Sequence, residues 1–214
     1  MKLVILGAPG AGKGTQGEQL EAYLRVPTIS TGMIVRKAIG EQTEFGILAK
    51  KYIDNGQLVP DGEMIKIVDE RLKQRDCKHG FILDGYPRTV AQAEDLEKKN
   101  IIIDKVLSIE VDDDEIIDRL SGRLECSNCG ASYHISWRPP VEEGFCDVCD
   151  TPLVRRSDDV PEIIKNRLIA YHEKTAPLKE YYAKQGKLCI AQGQRNIKDT
   201  IRVAFEVLGL GVAD

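Results

Sequence analysis

A glycine-rich turn near the start of the chain lies between an apolar run and a segment of helical character. The turn, Gly7–Thr15, reads GAPGAGKGT and follows the apolar run Leu3–Leu6 directly. Its glycines allow consecutive backbone N–H groups to surround an anion, and the positive end of the following helix dipole attracts the same charge. Lys13 adds a mobile ammonium group, so the turn is predicted to bind phosphate groups. The alternative is a tight strand-to-helix corner without a ligand.

The loop fits the pattern G-x-x-x-x-G-K with one departure. Gly14 follows the lysine where Ser or Thr is usual, and the nearest hydroxyl group belongs to Thr15. Because that hydroxyl normally helps to hold Mg²⁺, we expect it to be supplied one residue later, by Thr15.

The composition is that of a globular chain with one sizeable core and a small insertion. The chain has 214 residues, of which 42% are hydrophobic and 30% charged. It contains no apolar run of the about 20 residues that a membrane span needs and no recognisable export signal, so we expect a cytoplasmic protein without a membrane partner. A formal net charge of −4 argues against nucleic-acid binding, which needs a basic face.

Strand-like and helical segments alternate along the chain. Apolar runs predict strands at 2–6, 28–30, 81–83, 105–111 and 187–191. Such alternation is typical of an α/β fold, in which helices cover both faces of a parallel sheet. Helical periodicity predicts helices at about 32–40, 45–54 and 61–75, the last with Asp61 as its N-cap.

The segment 122–159 differs in character from the rest of the chain. It is rich in turn residues, poor in apolar ones, and contains two C-x-x-C pairs, formed by Cys126, Cys129, Cys146 and Cys149. A tetrahedral Zn²⁺ bound by four thiolates would supply the stability that such a small β-rich insert lacks. A closed site of this kind has no open position for a substrate, so the predicted role of the zinc is structural. A redox pair is the alternative.

Three other residues of metal-binding type have simpler interpretations. His134 competes as a ligand, but four cysteines already complete the tetrahedron, so His134 is expected to pack on the surface or within the insert. Cys77 and Cys189 stand alone in or beside apolar segments and are predicted to be buried thiols.

An aspartate follows one of the predicted strands directly. Asp84 ends the run Phe81–Leu83, and an aspartate at the carboxyl edge of a parallel strand beside a phosphate loop is well suited to hold Mg²⁺ through water. The alternative is an aspartate that caps a helix or a turn.

Arginines lie on both sides of the cysteine-rich insert: Arg119, Arg123, Arg155, Arg156 and Arg167. The i,i+4 spacing of Arg119 and Arg123 predicts that they share a helical face. Guanidinium groups around a movable segment suit phosphoryl transfer, because they can hold several phosphate oxygens while the segment excludes water. Taken singly, each arginine is better explained as a solvated surface charge, so their convergence carries the inference.

Together these motifs resemble the adenylate kinases that carry a long, zinc-bearing lid, and the resemblance covers nearly the whole chain. It rests on Gly7–Thr15, Ser30-Thr31-Gly32, Val59-Pro60-Asp61, Phe81–Thr89, Arg119 with Arg123, Tyr133-His134, Pro139-Pro140 and Asp158-Asp159. The resemblance implies a monomeric enzyme that transfers the γ-phosphoryl group of ATP to AMP, reversibly and with Mg²⁺, to give two ADP. It also implies a five-stranded core at 1–29, 60–121 and 160–214, an AMP-binding domain at 30–59 and a zinc lid at 122–159.

The same resemblance implies three overlapping sets of site residues. The ATP-binding positions are Gly10, Ala11, Gly12, Lys13, Gly14, Thr15, Arg119, Ser132, Tyr133 and Arg195. The AMP-binding positions are Thr31, Arg36, Gln57, Leu58, Val59, Gly85, Arg88, Gln92, Arg156 and Arg167. The positions around the transferred phosphoryl group are Lys13, Asp84, Arg88, Arg123, Arg156 and Arg167.

Three positions depart from the family pattern. Met33 stands where an aspartate is usual, Gly62 where an acidic residue usually follows Asp61, and Leu124 where a second arginine is usual. These departures concern the catalytic rate and not the fold. Met33 is expected to weaken catalysis through the metal; the alternative is that it packs against the neighbouring apolar residues.

Two rival functions remain open from the sequence. Other nucleoside monophosphate kinases share the loop and the arginines, so the preference for AMP depends on Thr31 and Gln92. The rival from another class is a zinc-ribbon protein that binds nucleic acid, or a nucleotide-binding zinc protein that uses the loop without catalysis. The acidic net charge and the lack of a basic tract count against nucleic-acid binding.

Overall fold

The computed structural model describes residues 1–194 and 196–211. Within them the strands are β1 Lys2–Gly7, β2 Thr28–Ser30, β3 Phe81–Asp84, β4 Lys105–Glu110, β5 Arg123–Cys126, β6 Ser132–His134, β7 Leu153–Val154 and β8 Leu188–Gln192. The α-helices are α1 Lys13–Leu24, α2 Thr31–Gly40, α3 Glu44–Ile53, α4 Asp61–Leu72, α5 Val90–Lys98, α6 Asp113–Ser121, α7 Pro161–Ala170, α8 Pro177–Ala183 and α9 Ile197–Val207. A 3₁₀ turn, Arg75–His79, follows α4, and a π-helical turn, Tyr171–Thr175, joins α7 to α8.

Five strands form a parallel sheet in the order β2-β3-β1-β4-β8. Alternate residues of β1 face opposite sides, as the period of a strand requires. Leu3 and Ile5 pack with residues of α1, α6, α7 and α9, whereas Val4 and Leu6 pack with residues of α2, α4, α5 and α8. The predicted α/β fold, with five strands and helices on both faces, is confirmed.

Helices α2 and α3 form a small unit that follows β2. Thr43 caps α3, because its hydroxyl group accepts a hydrogen bond from the Gly46 amide at 3.0 Å. Gly46 also allows the two helices to approach closely: a Cβ there would lie 2.0 Å from the Ala38 carbonyl oxygen. Both helices lie where the sequence predicts them.

The insert forms a second, three-stranded antiparallel sheet in the order β6-β5-β7. Its small core consists of Tyr133 and the cysteines, with Leu124, Ala131 and Leu153 packed against them. The β-rich character predicted for this segment is therefore confirmed.

Three local predictions are wrong. Helix α4 ends at Leu72 and not near residue 75, and its N-cap is Pro60. The Asp61 carboxylate accepts hydrogen bonds from the side chains of Thr89 and Gln92, at the start of α5, and not from its own helix. Arg123 does not share a helical face with Arg119, since α6 ends at Ser121 and Arg123 begins β5.

Of the two thiols outside the insert, Cys77 agrees better than Cys189 with the prediction of a buried thiol. Cys77 is buried, whereas Cys189 in β8 is only half-buried. Within the described residues, no helix combines the length and the apolar composition that crossing a bilayer requires.

Candidate active site

The glycine-rich turn connects the carboxyl end of β1 to α1. Gly10 and Gly12 have φ angles of +82° and +97°, a left-handed conformation that side chains with a Cβ rarely adopt. Gly12 is the residue immediately before α1, so the turn delivers the chain directly into a helix N-terminus. Loop amides and helix dipole therefore point to the same concave surface, which is suited to an anion.

The Lys13 side chain curls back over this turn. Its ammonium group donates hydrogen bonds to the carbonyl oxygens of Gly7 at 2.9 Å and Ala8 at 2.8 Å. Removal from solvent lowers the pKa of Lys13 to about 8, an effect that Asp84 opposes and that Arg88, Arg167 and Arg123 reinforce. The lysine is thus held beside several site residues that lie far apart in the sequence.

Asp84 ends β3, which is paired with β1. A Cβ at Gly14 would lie 4.0 Å from Asp84 Oδ2, so the carboxylate borders the first turn of α1. Ligands of open parallel sheets bind at this carboxyl edge. This half-buried carboxylate borders the anion-binding turn, and its role in holding hydrated Mg²⁺ stays a prediction.

Two aspartates before α7 organise two of the arginines. Asp159 accepts hydrogen bonds from Arg123 Nε at 2.7 Å, Arg123 Nη2 at 2.6 Å and Arg167 Nη1 at 2.8 Å. Asp158 forms a 3.0 Å ion pair with Arg167. Burial disfavours the Asp158 carboxylate, but the neighbouring arginines outweigh burial and hold its pKa below the usual value. The aspartates fix the guanidinium planes, a role the sequence does not reveal.

Two further arginines, Arg36 and Arg156, share a single carboxylate. Arg36, on α2, and Arg156, after β7, both form ion pairs with Glu125 of β5. Burial, together with the charges of Arg123 and Arg36, lowers the pKa of Arg156. The structure thus gathers these four arginines, which belong to α2, β5, the stretch after β7 and α7, around one space.

The predicted AMP residues near Asp84 form a hydrogen-bonded group. Thr31 Oγ1 donates to the Gly85 carbonyl at 2.8 Å, and Arg88 Nε donates to the same oxygen at 2.8 Å. Gln92 Oε1 accepts from the Arg88 amide at 2.7 Å, while Gln92 Nε2 donates to Asp61 Oδ1 at 2.7 Å. Both the Thr31 and Gln92 side chains are therefore already engaged with the protein.

The remaining predicted AMP positions lie in the connection between α3 and α4. Gln57 is exposed, Leu58 is half-buried and Val59 is buried, and none of the three belongs to a helix or strand. The N–H and C=O groups of these three residues therefore belong to no helix or sheet ladder.

The predicted ATP residues are distributed between the core and the insert. Arg119 lies against the glycine turn, with Nη1 3.4 Å from the Ala11 carbonyl oxygen, and also bonds Glu115. Ser132 is in β6. The Tyr133 ring faces the cysteines instead of a cavity, and its hydroxyl accepts from the Asp147 amide at 2.9 Å. Arg195 lies outside the described residues.

A residue that sequence reasoning missed lies beside Arg119. The Arg119 guanidinium is 5.9 Å from the centroid of the Trp137 ring. Trp137 lines a cavity of about 460 Å³ with Thr15 and Arg138, and its ring stacks on His134. The signal available in the sequence was that Trp137 is the single tryptophan of the chain and stands in a polar insert. His134 packs within the insert, as predicted.

The four cysteines of the insert converge as their spacing predicts. All four Sγ atoms lie within 4.8 Å of one another, and the Cys126–Cys149 and Cys129–Cys146 pairs are 3.4 and 3.5 Å apart. Zn–S bonds of about 2.3 Å in a tetrahedron require sulfur atoms about 3.8 Å apart, so the donor set fits such an ion. None of the four is in a disulfide.

Comparisons with known proteins agree with this geometry. A family model described as adenylate kinase matches residues 5–187. The adenylate kinase of Caldicellulosiruptor saccharolyticus is 53% identical over 214 residues, covering 98% of this chain and 100% of the relative. Adenylate kinases of Caldicellulosiruptor bescii and Ruminiclostridium cellulolyticum are 52% and 47% identical, with the same coverage.

Proposed function

The chain belongs to the adenylate kinase family, and from this premise we propose how its residues divide the work of transferring the γ-phosphoryl group of ATP to AMP. The reaction is reversible and yields two ADP. The observation that carries the proposal is the convergence of Lys13, Asp84 and arginines from separate segments of the chain at the carboxyl edge of the sheet. Transfer then proceeds directly between nucleotides, by positioning and charge neutralisation, without a covalent enzyme intermediate.

ATP binds through its phosphates to the backbone amides of Gly10–Thr15. Lys13 exchanges its bonds to loop carbonyls for bonds to the β- and γ-phosphates, and Arg119 stabilises the nucleotide on the insert side. The flat Trp137 ring near Arg119 offers a stacking surface for the purine base. Ser132, Tyr133 and Arg195 complete the proposed ATP site, with Tyr133 contributing backbone since its ring faces the cysteines.

AMP binds on the opposite side, between the α2–α3 unit and β3. Arg36 and Arg88 hold its phosphate, and Gln57, Leu58 and Val59 supply backbone contacts to the nucleoside. The remaining positions proposed to contact AMP are Thr31, Gly85, Gln92, Arg156 and Arg167. Thr31 and Gln92 act largely by fixing the Gly85–Arg88 segment, because both side chains bond to it.

The transferring phosphoryl group lies between the two sites. Lys13, Arg88, Arg123, Arg156 and Arg167 surround it and neutralise the charge that spreads over its oxygens. Asp84 and the Thr15 hydroxyl group would hold the Mg²⁺ that accompanies ATP, and this ion would supply further neutralisation of the phosphate charge. The side chains orient both nucleotides for in-line attack by an AMP phosphate oxygen, which needs no general base.

The chain divides functionally into three parts. We assign the core to 1–29, 60–121 and 160–214, the AMP-binding domain to 30–59, and the lid to 122–159; the separate sheet of the insert and the close α2–α3 pair support this division. Closure of the lid excludes water and brings Arg123 and Arg156 onto the phosphates.

The metal of the lid is zinc with a structural role. Four cysteines satisfy the ion completely, so its contribution is to the stability of the β5–β7 sheet. Free thiols throughout the chain suit the reducing cytoplasm, where we place the enzyme as a monomer.

Steady-state kinetics on paired arginine variants tests this division of labour. Arg36→Met is expected to raise the KM for AMP about tenfold or more while leaving the KM for ATP nearly unchanged, because a charge-assisted hydrogen bond is worth about 1.5–3 kcal/mol. Arg119→Met is expected to do the reverse. Arg155→Met, which removes an exposed neighbour of Arg156, is the matched control. Variants that raise both KM values equally would contradict the two-sided site.

A second candidate function differs from the first only in the nucleotide that accepts the phosphoryl group. Another nucleoside monophosphate kinase would use the same loop and arginines, so comparison of AMP with CMP, UMP and GMP decides between them.

A further inference from the structure

Glu125 is a buried carboxylate that neither the family pattern nor the proposed mechanism uses. It lies in β5, directly before Cys126, and only 5% of the residue is exposed. Acidic side chains are seldom buried unless they are paired. The partners of Glu125 therefore explain its position.

The two carboxylate oxygens of Glu125 bind two different arginines. Oε1 lies 3.0 Å from Arg36 Nη2, and Oε2 pairs with Arg156 Nε. Arg36 belongs to α2, whereas Glu125 and Arg156 belong to the insert. One carboxylate thus connects the proposed AMP-binding domain to the proposed lid.

A second contact between the same two parts lies close by. A Cβ at Gly130 would be 2.6 Å from Met33 Cε and 2.8 Å from Met33 Sδ, so the end of the Met33 side chain rests on the turn that follows Cys129. Met33 is one turn of α2 before Arg36. The ion pair and the apolar contact together hold α2 against the insert.

The arginines bound by Glu125 are those proposed to bind phosphate. A carboxylate and a phosphate use the same guanidinium N–H groups, so Glu125 and an AMP phosphate cannot both fully engage Arg36. Arg123, in β5, and Arg167, in α7, are held instead by Asp159, which lies between β7 and α7. Of these carboxylates, Glu125 is the one that binds an arginine of α2, so its competition with AMP also involves the contact between α2 and the insert.

We propose that Glu125 is a positioning residue that competes with AMP: in the nucleotide-free enzyme its carboxylate holds Arg36 and Arg156 together, and the AMP phosphate takes Arg36 from it. The inference rests on the proposed function, since it requires Arg36 to be an AMP-binding residue. As a consequence, the lid contacts the AMP-binding domain before AMP binds. The affinity for AMP is then lower than it would be if Arg36 were always free. The fraction of enzyme with Arg36 free sets the apparent affinity.

Glu125→Gln keeps the shape of the side chain and removes its charge. We expect the KM and the dissociation constant for AMP to fall about threefold to tenfold, as they would if Arg36 were free in a third to a tenth of the unliganded wild-type molecules. The KM for ATP should stay constant, a separation that a merely destabilised lid would not give. Glu143→Gln, which removes an exposed charge from the same insert, is the matched control and should change neither constant.

A distance measurement tests the contact in the wild-type enzyme, independently of how any Glu125 variant folds. Spectroscopic labels at the exposed positions Ile47 and Val141, attached without thiol chemistry to spare the cysteines, report the separation of α3 from the insert. The zinc-loaded, nucleotide-free wild type should show a predominantly short distance, and Glu125→Gln a longer one. A predominantly long distance in the wild type would overturn the proposal.

The remaining outcomes are also decisive. An unchanged or raised KM for AMP in a folded, zinc-loaded Glu125→Gln enzyme would overturn the proposal even if Arg36→Met weakens AMP binding, and the proposed AMP site would then stand without it. If Arg36→Met leaves AMP binding intact, the assignment of that site fails, and the competition fails with it.

Discussion

The Lys13 ammonium group lies 2.8 Å from the carbonyl oxygen of Ala8, so its charge is held over the phosphate loop by the loop itself. Replacement by methionine keeps the length of the side chain and removes this charge. Lys13→Met is expected to lower kcat by about 10²–10³-fold, the usual cost of deleting one preorganised group that stabilises transition-state charge. Thermal unfolding should be unchanged or slightly improved, because a partly buried charge is lost.

The control for this variant is Lys37→Met on the exposed side of α2. It removes the same functional group from a surface position and should leave kcat within a factor of two. A near-normal rate for Lys13→Met would remove Lys13 from the catalytic group.

The lowered pKa of Lys13 also predicts a pH dependence. Its value of about 8 implies that the free enzyme loses the ammonium charge as pH rises through 8. We expect kcat/KM for ATP to decline above that pH, while kcat declines only at higher pH, because bound phosphates favour the charged lysine. A flat kcat/KM profile up to pH 10 would contradict the assignment.

The lowered pKa of Lys13 also makes the free energy of unfolding depend on pH, in the direction opposite to that of activity. Between pH 8 and the ordinary lysine pKa, the unfolded chain binds a proton that the folded protein does not, so the free energy of unfolding should rise with pH across this window. Lys13→Met should lack that rise, which denaturant unfolding at several pH values can measure.

The convergence of four thiols predicts a metal-dependent lid. Wild-type protein should contain about one Zn²⁺ per chain, and Cys149→Ser should lose it and unfold at a lower temperature. A loss of 1 kcal/mol corresponds to about 2–4 °C in Tm for a chain of this size. Cys189→Ser changes a thiol outside the cluster and serves as the control. Metal analysis without zinc, or an unchanged Tm for Cys149→Ser, would refute the structural role.

Replacing Met33 with aspartate is expected to increase the catalytic activity. Met33 stands at the start of α2, where an acidic residue would favour the helix dipole and accept a hydrogen bond from metal-bound water. Met33→Asp is therefore expected to raise turnover, by up to about tenfold, or to lower the Mg²⁺ requirement with AMP saturating. The Met33 side chain packs on Gly130 of the insert. If turnover and Mg²⁺ dependence are both unchanged, packing is its whole role.

Much of the fold could be predicted because its signals are local. Continuous apolar runs mark strands that are buried on both faces, and the spacing of Cys126, Cys129, Cys146 and Cys149 marks their meeting point. The errors arose where a distant partner decided the outcome. Asp61 has the chemistry of an N-cap, but Thr89 and Gln92 bind its carboxylate.

The candidate site shows the same limit. Residue types and spacing identified Lys13 and the arginines, but not how the arginines are held. Asp159 and Glu125 each join arginines that are far apart along the chain, and no periodicity encodes such a pairing. The i,i+4 spacing predicts Arg123 on the helix of Arg119, but α6 ends at Ser121 with Gly122 as its C-cap, and a glycine at this position is a local stop signal.

We propose that this chain transfers a phosphoryl group from ATP to AMP at the carboxyl edge of its sheet. The most direct test is the amount of ADP formed by the purified, zinc-loaded protein with ATP and Mg²⁺ when AMP, CMP, UMP or GMP is the acceptor. We expect two ADP for each AMP consumed, a strong preference for AMP, and no ADP formation when Mg²⁺ is withheld. ATP binding without transfer to any of the four acceptors, or a preference for another monophosphate, would contradict the proposal.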